Sequence, residues 1–413
     1  YPLVDEEIVN FIKGKKAILV IEEGQPEFIE HEIGSIIRKS NLSVSLNGKN
    51  YLPMAGEYTP EVICVGLSNF LKENNQSLLH NQSLDYFKDI SNLKDKAKKL
   101  LGGDVPPRPP GFCVGCPERP FFSALKMLQK ETGKIHISTD IGCHSFATFP
   151  PFSFGNSILG YGMSLASSAG VQSFMNKRPI SIMGDGGFWH NGMLSGVASR
   201  LLNGSDGILV ILKNGYTSAT GTQDLLSTPK KYIRKNALDK STTSKDKTIE
   251  KALYGIGVRW VKTVHTYNVG DVKKVIKNAM NSKFNGLKVI VAEGECQLER
   301  QRRLKPLLKN RAKNKLRMVK IRYGVDEETC TGDHSCIRLS GCPTLTVKTP
   351  KNKLKTDPVA HITQGCLGCG LCGENAIEAS LCPSFWRAEV VTNPRWYERV
   401  IFSFRKIVLR SFI

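Results

Sequence analysis

The sequence predicts an α/β protein built on a doubly wound, mostly parallel sheet. A small α/β unit precedes the sheet and a cysteine-crowded module follows it. Three observations carry this. From residue 111 to about 297, short apolar runs alternate with helical segments, the pattern of parallel strands wrapped by helices. Two of those runs end in glycine-bearing turns, Gly184-Asp185-Gly186-Gly187 and Asn214-Gly215-Tyr216. Seven of the 12 cysteines fall between Cys330 and Cys382.

With 413 residues the chain is long enough for two or three domains. Residues 1–105 open with a strand-like Ala17–Ile21, then Glu22-Glu23-Gly24, then a helical Pro26–Arg38, which together make one βα unit. Lys88–Lys99 leads to Pro106-Pro107-Arg108-Pro109-Pro110, a stiff extended linker. Residues 106–298 hold expected strands at 135–139, 179–183, 208–212, 258–264 and 289–292. Expected helices lie between them at 160–173, 189–202 and 271–281. Residues 299–325 form a basic connector, 326–390 the cysteine-rich module and 391–413 a tail of aromatic and basic residues. Ligands of such a sheet bind at the carboxyl ends of its strands.

Composition excludes wholesale disorder, with 40% hydrophobic and 23% charged residues. No segment reads as a membrane span, because the longest uncharged stretch, Ile141–Asn176, is laced with Gly, Ser and Pro. The chain begins at Tyr1 without Met or a signal-peptide pattern, so a fragment or a processed form is expected. A net charge of +21 draws anions. Its source is localised: Arg300–Arg322 carries 11 Lys and Arg and no acid. That run has no aromatic residue and no nucleic-acid motif, so nucleic acid is not an expected partner. It suits a solvated connector or a docking surface for an acidic protein or a phosphorylated ligand.

Met183 ends an apolar strand and Gly184-Asp185-Gly186-Gly187 follows at once. After 27 intervening residues beyond Gly186, Asn214-Gly215-Tyr216-Thr217 stands at the next strand's end. Neighbouring strand ends bring Asp185 and the Asn214 amide oxygen to one hard cation, which suits Mg²⁺ completed by phosphate oxygens. The glycines let the backbone approach phosphates, and the helix near Phe188 points its amides at them. Thr217, Ser218 and Thr220 add hydroxyls. Gly-Asp-Gly by itself is no more than a capped strand-to-helix turn. Paired with the Asn turn it resembles the thiamine diphosphate motif. That resemblance implies Mg²⁺ on Asp185, Asn214 and the Tyr216 carbonyl, with the diphosphate on the ion and on Gly184, Gly186 and Gly187.

Four further cysteines lie near element ends: Cys113-Val114-Gly115-Cys116-Pro117, Cys143 after Asp140-Ile141-Gly142, and Cys296 after Glu293-Gly294-Glu295. Taken alone they fit a redox dithiol with two buried thiols, a structural Zn²⁺ site or a [4Fe–4S] cluster. Together with the Gly184-Asp185-Gly186 and Asn214–Gly221 segments they resemble the 2-oxoacid:ferredoxin oxidoreductases, nearest the indolepyruvate type. The resemblance runs along nearly the whole chain, with Glu22-Glu23-Gly24-Gln25-Pro26 similar to the segment upstream of the thiamine domain. It implies a [4Fe–4S] cluster on Cys113, Cys116, Cys143 and Cys296, beside the thiamine.

Cys366-x-x-Cys369-x-x-Cys372 with Cys382-Pro383 follows the bacterial ferredoxin run, although nine residues precede its last cysteine. Cys330-x-x-Asp333-x-x-Cys336 with Cys342-Pro343 is the other half, with Asp333 in the place of a cysteine. In two-cluster ferredoxins the fourth cysteine of each run crosses to the other cluster. One set is then Cys366, Cys369, Cys372 and Cys342; the other is Cys330, Asp333, Cys336 and Cys382. Carboxylate is a harder ligand than thiolate, so the second cluster is expected as [3Fe–4S] or as [4Fe–4S] with a labile iron. A zinc knuckle is the alternative for Cys366–Cys372. Cys64, in an apolar helical run, reads as a core thiol.

The resemblance implies a thiamine diphosphate-binding fold with a bacterial-ferredoxin-like α+β module. It also implies oxidative decarboxylation of a 2-oxoacid such as indolepyruvate to an acyl-CoA, with electrons passed to ferredoxin. CoA is the cosubstrate, and a dimer or higher oligomer in a reducing cytoplasm is expected. No counterpart of the family's pyrimidine-binding half or of a gamma-type domain is recognisable, so those belong upstream or on another chain, and this chain alone is expected to be inactive. His144 and His190 are candidate acid–base groups, with an ordinary structural histidine the alternative for each. Rival readings are a pyruvate or 2-oxoglutarate enzyme of the same family, or a non-catalytic iron–sulfur electron carrier.

Overall fold

The computed structural model describes residues 3–79, 95–103, 110–229 and 248–410, with 89, 92, 93 and 232. The chain divides into two units, Tyr1–Arg108 and Pro109–Ile413. Apart from Pro110, the expected proline linker lies outside the described residues.

In the first unit, helix α1 (Asp5–Ile12) precedes β1 (Ala17–Leu19), α2 (Phe28–Lys39), β2 (Ser45–Asn47) and α3 (Pro60–Asn74). The two short strands pair in parallel, Ala17 opposite Ser45. Glu22 explains where α2 begins. Its carboxylate accepts from the Ile29 amide at 3.0 Å and the Glu30 amide at 3.2 Å, which satisfies donors that a helix start leaves free. Cys64 sits on α3 half-buried, so it lines the edge of this unit's interior rather than its centre.

The second unit opens with α4 (Glu118–Thr132), followed by β3 (Ile137–Thr139), β4 (Ser157–Ile158) and α5 (Ser164–Gln172). Next come β5 (Ile180–Gly184), a continuous helix α6 over 185–202, and β6 (Gly207–Lys213). The middle of α6, Phe188–Ala198, is π-helical, a wide winding that recurs near functional sites. A hairpin of β7 (Tyr216–Thr217) and β8 (Gln223–Asp224), then α7 (Ile249–Gly255), β9 (Trp260–His265), α8 (Val269–Asn281) and β10 (Leu287–Glu293) complete this part. Six strands form one sheet in the order β4-β3-β5-β6-β10-β9, every pair parallel. The inner strands β5, β6 and β10 are covered on both faces, so they read as unbroken apolar runs such as Ile208-Leu209-Val210-Ile211-Leu212. Register sets Gly184 opposite Leu212 and Glu293 opposite Lys213, so the strands end together at one edge.

The acid-free stretch expected as a connector is largely ordered secondary structure. Helix α9 (Gln297–Lys313) carries its first half, and β11 (Met318–Val325) its second. Strand β11 pairs antiparallel along its whole length with β14 (Phe385–Thr392). Between them lie α10 (Ser335–Ser340), the hairpin of β12 (Leu345–Lys348) and β13 (Val359–Ile362), and α11 (Leu371–Ser380). The cysteine-rich module therefore begins at β11, and the segment expected as a tail holds the end of β14 and a helix, α12 (Trp396–Arg410). Leu339 and Leu371 of this module pack into the same apolar core as Phe121, Leu125 and Val272. Among the described residues, no helix is long and apolar enough to cross a membrane.

Lys288, near the amino end of β10, is wholly buried, and Asp206 holds its ammonium. Asp206 also accepts from Arg178 Nε at 2.6 Å, and these two cations keep its carboxyl below the usual range against the opposing effect of burial. Breaking one side of a buried pair costs about 3–5 kcal/mol; Asp206 is partly exposed, so Asp206→Asn is expected to cost about 3 kcal/mol. A depressed carboxyl contributes stability above its unfolded pKa and loses it as pH falls. Urea unfolding at neutral pH and near pH 3 checks both points: the gap between wild type and variant is expected to narrow in acid.

Candidate functional site

At the carboxyl edge of the sheet lies a cavity of about 270 Å³. The ends of β3, β5 and β6 and the N-terminus of α4 build it, and its walls include Gly184–Gly187, Asn214, Tyr216, Thr217, Ser218 and Thr220. Both glycine-bearing turns singled out in the sequence thus meet on one cavity, together with Cys143 and His144. His190 does not line it. It is exposed, with its ring 5.2 Å from that of Tyr161.

The two turns are tied to each other. Asp185 accepts from the Gly215 amide at 2.7 Å and from its neighbour Gly186 at 3.1 Å. Burial pushes the Asp185 carboxyl up to about 7, opposed by the hydrogen bond from the Gly215 amide. Asn214 Oδ1 accepts from the Tyr216 amide at 3.1 Å and from Ser218 Oγ at 2.9 Å. Its Nδ2 donates to Glu118 Oε1 at 3.0 Å, which leaves the amide oxygen turned toward the donors of its own turn.

Three residues of this site were not anticipated: Asp140, Tyr161 and Glu118. Asp140 is fully buried, binds His144 Nε2 with its side chain and accepts from the Gly162 amide at 2.7 Å. Burial disfavours the His144 cation, but the Asp140 hydrogen bond and charge outweigh that and hold the imidazole above its ordinary pKa. Glu118 is 3% exposed, and among the described residues its Oε2 has no hydrogen-bond partner. Burial raises its carboxyl, opposed by His144 and by the Asn214 bond. The one sequence signal for Glu118 was its place directly after Cys116-Pro117.

The thiamine-domain cysteines gather beside this cavity. Cys296 donates its amide to the Asn214 carbonyl at 3.1 Å, which ties the end of β10 to the turn after β6. Burial raises the Cys143 thiol, and Glu118, Cys116, Cys296 and Cys113 lie near enough to raise it further. In the other module, Cys330, Asp333, Cys336 and Cys382 line one small pocket. Cys342 instead lies with Cys366 and Cys369 near Cys372, and all three raise the Cys372 thiol electrostatically. The Asp333 carboxylate accepts from Ser335 Oγ at 2.7 Å and from the Ser335 amide at 3.2 Å, which hold its carboxyl below the usual range.

These donor sets suit the groups in question. Each of the three cysteine sets holds four soft or mixed donors in largely apolar surroundings, and among the described residues the buried Arg119 Nε has no hydrogen-bond partner. Among the described residues, no three His, Cys, Asp or Glu side chains already converge at metal-ligating distances.

A parallel sheet that presents a Gly-Asp-Gly-Gly helix start beside an Asn turn is a thiamine diphosphate-binding fold. Residues 140–292 match the thiamine pyrophosphate enzyme, C-terminal TPP binding domain. The resemblance to the 2-oxoacid:ferredoxin oxidoreductases of the indolepyruvate type holds in comparison with known proteins. The chain is 27% identical over 394 residues to the indolepyruvate oxidoreductase subunit IorA of Pyrococcus horikoshii, covering 91% of this chain and 53% of that protein. It is likewise 27% identical over 385 residues to the IorA of Archaeoglobus fulgidus, covering 93% and 54%. The chain spans about half the length of the curated relatives it matches. Among solved structures, a 2-oxoglutarate:ferredoxin oxidoreductase from Magnetococcus marinus aligns at 18% identity with a TM-score of 0.37, over 46% of this chain and 65% of that one.

A Cβ at Gly187 would overlap the Asp140 carboxylate, and Gly162, at φ +80°, has no room for one against the Gly187 carbonyl. Gly187→Ala must therefore displace Asp140 from the Gly162 amide. Calorimetric titration with thiamine diphosphate is expected to show affinity at least tenfold weaker, about 1.4 kcal/mol, in a variant that still folds.

Proposed function

We propose that this chain is the thiamine- and cluster-bearing part of an oxidoreductase that decarboxylates a 2-oxoacid of the arylpyruvate class. The net reaction is arylpyruvate + CoA to arylacetyl-CoA + CO₂ + H⁺, with the two electrons passed to ferredoxin. The meeting of the Gly184–Gly187 and Asn214–Tyr216 turns with Cys143 on one cavity carries this reading.

When bound, thiamine diphosphate supplies the electron sink that lets a 2-oxoacid lose CO₂. The chain's own residues have defined tasks. Asp185, Asn214 and the Tyr216 carbonyl would hold Mg²⁺, and the amides at the start of α6 would bind the diphosphate. Asp140 orients His144 at the cavity wall, where His144 can hold or release a proton. Ile141 and the methyl of Ala219 cover the apolar side. Cys113, Cys116, Cys143 and Cys296 would bind the cluster that takes electrons singly from this cavity. The sets containing Cys372 and Cys382 would pass them outward. Other subunits or domains would supply the pyrimidine-binding half.

A carrier of electrons without thiamine chemistry is the second reading, and the cysteine sets favour it as well. Anaerobic reconstitution distinguishes the two. The proposed enzyme is expected to bind thiamine diphosphate only with Mg²⁺ and to hold about 11–12 iron per chain. Full iron with no thiamine binding in wild type would leave the carrier alone standing. Asp185→Asn is expected to abolish the Mg²⁺-dependent binding and leave iron unchanged.

Asp333 gives a separate measurement. After mild oxidation, the wild type is expected to show the EPR signal of [3Fe–4S], and Asp333→Cys to lose it. Absence of that signal in wild type would count against a labile iron at this position.

A further inference from the structure

Arg119 is the largest side chain with no exposure to solvent. A guanidinium in that position ordinarily lies against a carboxylate, because burying a lone cation costs several kcal/mol. Among the described residues, no carboxylate pairs with it. One Nη donates to the Cys113 carbonyl at 2.9 Å and the other to the Ser340 carbonyl at 3.3 Å. Among the described residues its Nε has no hydrogen-bond partner. The charges within its reach are thiol sulfurs: Cys342, which it hydrogen-bonds, then Cys116 and Cys369. Cys116 belongs to the set beside the thiamine cavity, and Cys342 and Cys369 to the first ferredoxin-type set. Cys330, Cys336 and Cys382 are not among the largest influences on it.

A second residue spans the same gap. Tyr267 donates its hydroxyl to the Gly115 carbonyl, accepts from Gln297 Nε2 at 3.5 Å, and has Cys369 and Cys116 as electrostatic partners. One buried cation and one ring thus lie within electrostatic reach of two cysteine sets on different modules.

We propose that Arg119 is a positioning and potential-setting residue, the shared counter-ion of the two neighbouring iron–sulfur sites. This rests on the reading that both cysteine sets hold clusters. A cluster on four thiolates is an anion, and reduction adds one more negative charge to it. A buried cation near two such anions stabilises the reduced form of each, so both potentials rise together, in low dielectric and beyond the reach of salt. Its two carbonyl bonds also hold the Cys113 loop to the end of α10, which fixes the gap an electron must cross. The repayment of its burial comes from thiolate charge, and that explains why no carboxylate is needed.

The test uses the full chain, reconstituted with ferrous iron and sulfide under anaerobic conditions, as wild type, Arg119→Lys and Arg119→Gln. Iron per chain and EPR-monitored redox titration are the readouts, with signals assigned in Cys143→Ser, Cys372→Ser and Cys336→Ser backgrounds. Arg119→Gln is expected to lower the midpoint potentials of the Cys143 and Cys372 sets and to leave the Cys336 set in place as an internal control. Arg119→Lys, which keeps the charge, is expected to stay near wild type. Should Arg119→Gln lose iron from the two neighbouring sets, retention of iron and potentials in Arg119→Lys supports the counter-ion role, and loss in both overturns it. Unmoved potentials in a fully loaded Arg119→Gln overturn it, as does an equal shift of all three signals. A wild-type chain that takes up no iron overturns the cluster reading itself and the role of Arg119 with it.

Discussion

Two adjacent, opposite charges are buried where α4 begins, and much of the second unit is arranged around them. Glu118 and Arg119 follow one another in the first turn of a helix, where consecutive side chains point about 100° apart. They cannot pair with each other at the helix surface and must find separate partners. Glu118 turns to Asn214 at the end of β6, and Arg119 turns to Cys113, Ser340 and Cys342. One helix start therefore fixes both the floor of the cavity and the join to the cysteine-rich module. Ser123, one turn further on, donates to the Leu339 carbonyl at 2.7 Å and accepts from Asn375 at 3.2 Å, which extends that join.

The sheet contributes the other half of the constraint. In parallel strands whose ends are in register, the turns after β3, β5, β6 and β10 emerge at one edge, and their backbone amides and carbonyls must be satisfied there. Asp140 bonds Gly162, Asp185 bonds Gly215, and the Cys296 amide bonds Asn214. Each bond joins one strand's turn to another, so the cavity is held by the same interactions that close the edge of the fold. This is why small residues recur here: Gly187 leaves the space that the Asp140 carboxylate occupies.

The basic stretch shows how a charge pattern can mislead. Eleven cations without an acid between Arg300 and Arg322 imply a solvated connector. In the fold, α9 finds acids outside that window, with Arg303 on Glu295 and its guanidinium 3.6 Å from the Tyr232 ring centre. Arg302 bonds Thr222 Oγ1 at 2.8 Å. Arg317 makes a forked pair with Glu398 on α12, with its Nε at 2.8 Å from Oε1. The partners lie up to 81 residues away in sequence, which no local reading of charge can reveal.

What the chain determined locally was the alternation of apolar strands and helices, the Gly184–Gly187 and Asn214–Tyr216 turns, and the spacing of the cysteines. These depend on backbone conformation and on near neighbours, and their period or interval is printed in the residues themselves. Tertiary structure alone decided the burial of Glu118 and Arg119, the role of Asp140, the exclusion of His190 from the cavity, and the absorption of Arg300–Arg322 into a helix and a strand. Most of those depend on contacts distant in sequence, such as Glu118 with Asn214 and Arg119 with Ser340, where a charge gains its meaning from what desolvates it. The count of 12 cysteines could be sorted from sequence, but the cation shared between two of the sets became visible only once α4 had a place in the fold.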